Sequence, residues 1–139
     1  MGLDNGIQLI TRQKLDLNNW EIKPEYSKIQ FDEFCTNEYH DGYYYDICYW
    51  RRHYNLRKDI LNILKADQEG GKYDIITEQQ LRDIQDAIIF YLKYPKEWDD
   101  YFALEDCICG LAQDVVDISW LIEYLKIDKS AKVRFYDSF

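Results

Sequence analysis

The chain has few of the features that would place it in a membrane, secreted or disordered class. No apolar run approaches the ~20 residues that a membrane-spanning helix needs. The first residues lack the basic and apolar regions of a secretory signal, so we expect the four cysteines to be reduced thiols in a cytoplasmic protein. The 47% apolar and 17% aromatic content excludes disorder and predicts one folded domain over residues 1–139.

Complete catalytic and metal-binding motifs are also missing. The sequence has no P-loop, no GxGxxG and no nucleophile elbow. Cys48 and His53 would lie on different faces of one helix, which disfavours a zinc site. We therefore expect no catalytic residues, no metal and no cofactor. The alternative is a hydrolase, which would require His53, Cys48 and an acid to converge in one pocket.

What the chain does contain is an aromatic and basic island between residues 43 and 58. Its aromatic members are Tyr43, Tyr44, Tyr45, Tyr49, Trp50 and Tyr54, and its basic members are Arg51, Arg52, His53, Arg57 and Lys58. The island interrupts an acidic chain of net charge -9, in which residues 66–128 carry fifteen acidic and five basic residues. The overall field disfavours duplex DNA and anionic membranes as partners and is compatible with a basic protein surface.

Hydrophobic periodicity and capping signals predict strands at both ends of the chain and helices between them. Residues 15–41 have no sustained period and are predicted to be loop, with a short strand near 20–23 and a helical turn near 31–35. The predicted elements are a strand over 6–12, a helix over 47–65 capped by Asp46, a helix over 77–93 opened by a Thr77–Gln80 capping box, a helix over 103–126, and a strand over 131–137 that pairs with 6–12. The predicted fold is α+β, with a small antiparallel or mixed sheet of terminal strands covered by about three helices.

The third helix has the clearest period in the sequence. Its apolar residues recur at steps of four and three: Leu104, Ile108, Leu111, Val115, Ile118, Ile122 and Leu125. This seam favours a helix packed on the protein's own core, and a coiled-coil homodimer is the alternative. We expect Gly110 to allow close packing of this helix.

Two interpretations of the aromatic and basic island are open. In the first, Trp50 and Tyr54 are core residues, and the arginines pair with acids of the later helices. In the second, the aromatic rings stack on a base while Arg51, Arg52 or Arg57 binds phosphate. The candidate ligand- or partner-binding residues are Tyr45, Tyr49, Trp50, Arg51, Arg52, His53, Arg57, Asp4, Asn5, Asp99 and Asp100.

Three blocks of the chain resemble a family of small uncharacterised proteins from bacteriophages and mobile elements, chiefly of Firmicutes and gut bacteria. They are the start MGLDNGI at residues 1–7, the central segment Ile47–Arg57, and the end FYDSF at residues 135–139. A helix containing the sequence WLIEYL at residues 120–125 precedes the last block. The resemblance covers about a sixth of the chain. It implies an accessory role inside a bacterial host cell and supplies no catalytic residues.

Many accessory proteins of this kind act by binding host machinery, including defence systems. The resemblance, together with the acidic charge, implies a non-enzymatic protein whose acidic helices, residues 77–126, bind a host protein. An inhibitor of a defence nuclease, similar in role to an anti-CRISPR protein, is one such possibility. The alternative function is binding of a nucleotide or signalling ligand at the aromatic and basic island.

Overall fold

A computed structural model describes residues 4–13, 30–36, 40–51, 53–66, 70–94 and 104–138. Along the chain the elements are β1 (Asp4–Thr11), β2 (Gln30–Thr36), β3 (His40–Arg51), α1 (Tyr54–Leu64), β4 (Gly71–Ile75), α2 (Glu78–Lys93), α3 (Leu104–Ile127) and β5 (Lys132–Ser138). The strands form one antiparallel sheet in the order β2-β3-β1-β5-β4. The predicted α+β class is confirmed.

The two terminal strands pair as the sequence predicts. β1 lies at the centre of the sheet, between β3 and β5, and residue 7 of β1 faces Phe135 of β5. Side chains on β1 alternate, so that Asn5, Ile7, Leu9 and Thr11 are all buried on one side. We call this side the covered face, because hydrogen bonds join it to α1 and α3, and the opposite side the open face.

The prediction of a helix over 47–65 is wrong in its first third. β3 continues through Arg51, and α1 begins only at Tyr54, with His53 rather than Asp46 as its N-cap. The cause is a register shift opposite residues 7 and 8 of β1, where Ile47 is an extra residue. Because of this bulge, the side chains of β3 that point to the covered face stand at odd positions before Ile47 and at even positions after it. The change of parity hides the two-residue period of the strand.

α2 and α3 agree with their predictions. Thr77 caps α2, and Gln80 completes the capping box by accepting the N–H of Thr77 at 3.1 Å. Leu111, Ile118 and Ile122 of the α3 seam are buried in the core. The seam is therefore used inside the chain, which leaves these residues unavailable for a coiled-coil homodimer.

Four smaller predictions fail or fall outside the described residues. Residues 31–35 belong to β2 instead of a helical turn, and Tyr54 is exposed on α1 instead of buried. A Cβ added to Gly110 would meet no heavy atom within 4 Å among the described residues, so this glycine does not serve close packing there. The strand expected at 20–23 lies outside the described residues. β4 was not predicted.

Candidate functional site: the open face of the sheet

Strand alternation divides the aromatic and basic island between two sides of the sheet. Trp50 faces Asn5 across the β3–β1 pair, and both side chains are buried under the helices. Tyr49 and Arg51 flank Trp50 and project from the open face, where 51% of Tyr49 and 57% of the Arg51 side chain are exposed. The candidate residues therefore form two separate groups.

The buried group begins with Trp50. Its indole N–H donates to Asp114 of α3 at 2.8 Å, which satisfies the polar atom of this core residue. Asn5 lies beside it and is fully buried, and neither polar atom of its amide has a hydrogen-bond partner among the described residues. Tyr45, further along β3, is also fully buried and donates its hydroxyl hydrogen to the carbonyl of Gln13 at 3.0 Å.

Arg57 belongs to the same buried group. Its Nε and one terminal nitrogen donate to the two carboxylate oxygens of Asp137, each at 2.8 Å. This bidentate pair joins α1 to β5 in the interior, where its side chains are 9% and 0% exposed. The first interpretation pairs the arginines with acids of the later helices, whereas the bidentate partner that the structure describes for Arg57 lies in the C-terminal strand.

His53 caps the N-terminus of α1 in this arrangement. Its Nδ1 accepts the backbone N–H of Leu56 at 3.4 Å, and its ring packs edge-on against Tyr91 with centroids 4.9 Å apart. His53 and Cys48 are both almost completely buried. Within the described ranges, no group of three or more His, Cys, Asp or Glu side chains is arranged to hold a metal ion.

The open face brings together three of the candidate residues. The Tyr49 hydroxyl donates to a carboxylate oxygen of Asp4 at 2.7 Å, and Nε of Arg51 lies 3.9 Å from the same oxygen. The hydrogen bond to Asp4 raises the pKa of Tyr49, and partial burial and the negative charge of Asp4 add to this effect. Asp4 thus hydrogen-bonds Tyr49 and lies within ion-pair distance of Arg51, and both of these side chains are exposed to solvent.

Gly6 and Tyr136 continue this face next to Tyr49. Across the strands, Gly6 stands between Tyr49 and Tyr136. A Cβ on Gly6 would approach the Tyr136 ring and hydroxyl to 2.9 Å, so the ring of Tyr136 lies directly over the glycine. Burial raises the pKa of the Tyr136 phenol well above its usual value, and the negative charge of Asp46 raises it further.

A chain of polar side chains crosses the next row of the open face. Arg134 of β5 donates from Nε to the Gln8 side-chain oxygen at 2.9 Å, and the Gln8 amide nitrogen donates to Asp46 at 2.9 Å. These bonds span three adjacent strands and hold the side chains flat against the sheet. The open face therefore combines two tyrosines with charges of both signs.

The predicted acidic surface of the helices is smaller than the sequence implied, as far as the described residues extend. Asp114 and Asp117 of α3 are buried, so they add no charge to the surface. On α2, Arg82 binds Glu78 at 2.9 Å and offsets one of its acids. Asp99, Asp100 and Arg52, also candidate residues, lie outside the described residues.

A cleft of about 460 Å³ lies at the other end of the sheet. It is bounded by the end of β4, the start of α2, the end of α3 and the start of β5, and none of the candidate residues lines it. Leu81 and Ile122 contribute to its apolar lining, and Lys126 and Lys129 lie on its polar side. Lys126 also contacts Glu123 at 3.2 Å and Glu78 at 3.9 Å, which offsets its charge.

No protein-family model, no curated protein sequence and no solved structure matches the chain. Among the helices that the structure describes, none is long and apolar enough to span a bilayer. With no matching protein, only the geometry of this chain characterises the site.

Sequence reasoning missed five members of the open face: Gly6, Gln8, Asp46, Arg134 and Tyr136. A signal for two of them was present, because Val133 and Phe135 alternate with Arg134 and Tyr136 in the C-terminal strand. Their proximity to Tyr49 could not be predicted, because it depends on β1 lying between β3 and β5.

Proposed function

We propose that this protein is a non-enzymatic accessory protein that binds a protein partner through the open face of its sheet. The observation that carries the proposal is the exposed pair Tyr49 and Arg51, held by Asp4 beside the Gly6–Tyr136 contact. Tyrosine and arginine are enriched among the residues that dominate binding energy at protein interfaces. Because Tyr49 is already hydrogen-bonded in the free protein, it loses little conformational freedom on binding.

The resemblance to phage and mobile-element proteins suggests a protein of the bacterial host as the partner. A defence nuclease is one class of host protein that such an accessory protein would inhibit. The mixed charges of the open face favour a partner surface that is itself polar and of mixed charge. This differs from the acidic-helix hypothesis, which requires a strongly basic partner surface.

A nucleotide fits the open face less well than a protein does. A phosphate bound by Arg51 would lie close to the carboxylate of Asp4, and the two negative charges would repel each other. Trp50 and Arg57, which the nucleotide hypothesis also uses, are buried in contacts with Asp114 and Asp137. For these reasons the nucleotide function takes second place.

The test is affinity capture from lysate of a bacterium of the kind that carries such phages, with the captured partner then purified for binding measurements. We expect the double variant Tyr49→Ala, Arg51→Ala to lose at least about 30-fold in affinity, which corresponds to about 2 kcal/mol. The matched control is Tyr94→Ala, Arg82→Ala, in which Arg82 lies on α2 and Tyr94 directly follows it, since these residues are similarly exposed. The control should bind as the wild type does.

The same measurement separates the two protein-binding hypotheses. Binding through the acidic helices would fall steeply with salt and would survive the Tyr49→Ala, Arg51→Ala change. That outcome would reject the open face and support the acidic surface. A partner lost by the open-face variant and retained by the α2 control supports the present proposal.

A further inference from the structure

β4 is an outer strand of the sheet, and its free edge carries an unusual charge pattern. Among the described residues no strand pairs with its second edge, because β5 lies on one side of it only. Gly71, Lys72 and Asp74 are exposed there, and Tyr73 and Ile75 point to the covered face. Outer strands commonly carry charges that prevent pairing with another chain. On β4 the two charges have opposite signs and stand two residues apart.

We infer that the edge of β4 pairs with β4 of a second copy of this chain, antiparallel about a two-fold axis that lies between the two copies of Tyr73. In a two-fold antiparallel pair that keeps each face of the sheet continuous, the axis passes midway between the two copies of one residue, and residues equally distant from it along the two strands face each other. An axis at Tyr73 places Lys72 opposite Asp74 of the second copy, and Asp74 opposite its Lys72. Two cross-strand ion pairs then form on the open face.

The neighbouring registers lack this complementarity. An axis at Lys72 would place the two copies of that lysine opposite each other, and an axis at Asp74 would do the same with two carboxylates. Like charges directly opposite each other destabilise a strand pair. Registers centred on either end of β4 overlap fewer strand residues. The sequence of β4 therefore selects one register.

The resulting dimer has a continuous ten-stranded sheet. Because the axis is perpendicular to the sheet, the helices of both copies lie on one side and both open faces lie on the other. This inference goes beyond the proposed function, since it uses β4 and none of the residues proposed to bind a partner. It adds that the binding face is presented twice, which increases the avidity for a partner with two sites.

Reversing the charge of one of the two facing residues tests the inference directly. In a Lys72→Asp variant both facing pairs become Asp against Asp, and in an Asp74→Lys variant both become Lys against Lys. Each variant alone should be monomeric in sedimentation velocity, with association weakened on the order of tenfold or more. An equimolar mixture should dimerise again, because every facing pair is then Asp against Lys. Circular dichroism of each variant verifies the fold.

Hydrogen exchange on the wild-type chain tests the inference without any substitution. The backbone amides of residues 71–75 should exchange more slowly as protein concentration rises, since strand pairing protects them. A wild type that stays monomeric up to about 1 mM overturns the inference. The inference is also overturned if Lys72→Asp or Asp74→Lys alone dimerises as the wild type does. It is likewise overturned if the equimolar mixture of the two variants stays monomeric. The Tyr49→Ala, Arg51→Ala variant should still dimerise, so failure of the dimer and failure of the proposed function are distinguishable.

Discussion

At the scale of single residues, position in the strand alternation determines what each member of the aromatic and basic island can do. Tyr49 and Trp50 are neighbours in sequence, yet one is half exposed and hydrogen-bonded to Asp4 while the other is buried and bound to Asp114. The first of the two interpretations of the island correctly places Trp50 in the core, but from the phase of a helix that does not include it. The same helical phase also placed Tyr54 in the core, where it is not, so one correct burial prediction does not establish the element from which it was drawn.

Gly6 should tolerate no side chain. A Cβ at this position would clash with the backbone carbonyl oxygen of Cys48 in β3, which cannot move without breaking the β1–β3 pairing. We expect Gly6→Ala to lower the free energy of unfolding in urea by at least about 2 kcal/mol. Gly110→Ala in α3 is the control and should raise stability by about 0.5–1 kcal/mol, because alanine is the better helix former. Equal effects of the two changes would contradict the packing at Gly6.

Asp128 should make stability depend on pH in the acid range. Burial alone raises the pKa of its carboxyl, but hydrogen bonds from Tyr124, Thr11 and Ser130 outweigh burial and lower the pKa to about 2 from an ordinary 3.8. The folded protein therefore favours the ionised form. The stability from this group is present above the unfolded pKa and is lost as pH falls from about 4 to 2.

The measurement is chemical unfolding of the wild type and of Asp128→Asn across this range. The wild type should be more stable than the variant at pH 5–7, by an amount that stays constant, and the difference should shrink toward pH 2. The difference between the two free energies of unfolding removes the contribution of the other carboxyl groups, because these groups are the same in both proteins. A stability difference between wild type and variant that does not change with pH would show that the hydrogen bonds to Asp128 do not favour its ionised form.

At the scale of elements, the junction between β3 and α1 shows why local periodicity is not sufficient. The apolar positions 47, 50 and 54 fit a helix, but residues 47 and 50 belong to β3, and only the bulge at Ile47 lets both be buried in a strand. A bulge depends on the partner strand, which is distant in sequence. α2 was predicted correctly because its signals, the Thr77–Gln80 capping box and the apolar stripe, are local.

The Arg57–Asp137 pair should be the main polar connection between α1 and β5. Removing one partner leaves a buried charge without compensation, so Arg57→Ala should lower the free energy of unfolding by about 3–5 kcal/mol. The double change Arg57→Met, Asp137→Leu should cost less than the single one, because no buried charge remains. Arg82→Ala, which removes an exposed pair, should change stability by at most about 1 kcal/mol. Similar losses for Arg57→Ala and Arg82→Ala would refute the role of the buried pair.

At the scale of the whole molecule, the fold separates the aromatic and basic island into a buried group and a group exposed on the open face of the sheet. The pairing of the first and last strands was predictable from their periodicity, and it establishes the α+β class. The strand order was not predictable, and it is this order that brings Tyr49, Gly6 and Tyr136 together. The net charge of -9 also misleads when it is assigned to the surface, because Asp114, Asp117 and Asp137 are internal.

The central claim is that the aromatic and basic island divides at Trp50, with the open face available to a partner. Hydroxyl-radical footprinting with mass spectrometry tests it most directly, since it reports the solvent access of adjacent side chains in the intact protein. The account predicts rapid labelling of Tyr49, strong protection of Trp50 and Tyr45 in the free protein, and protection of Tyr49 once the captured partner is added. Labelling of Trp50 as fast as that of Tyr49, or Tyr49 labelling that the partner leaves unchanged, would contradict it.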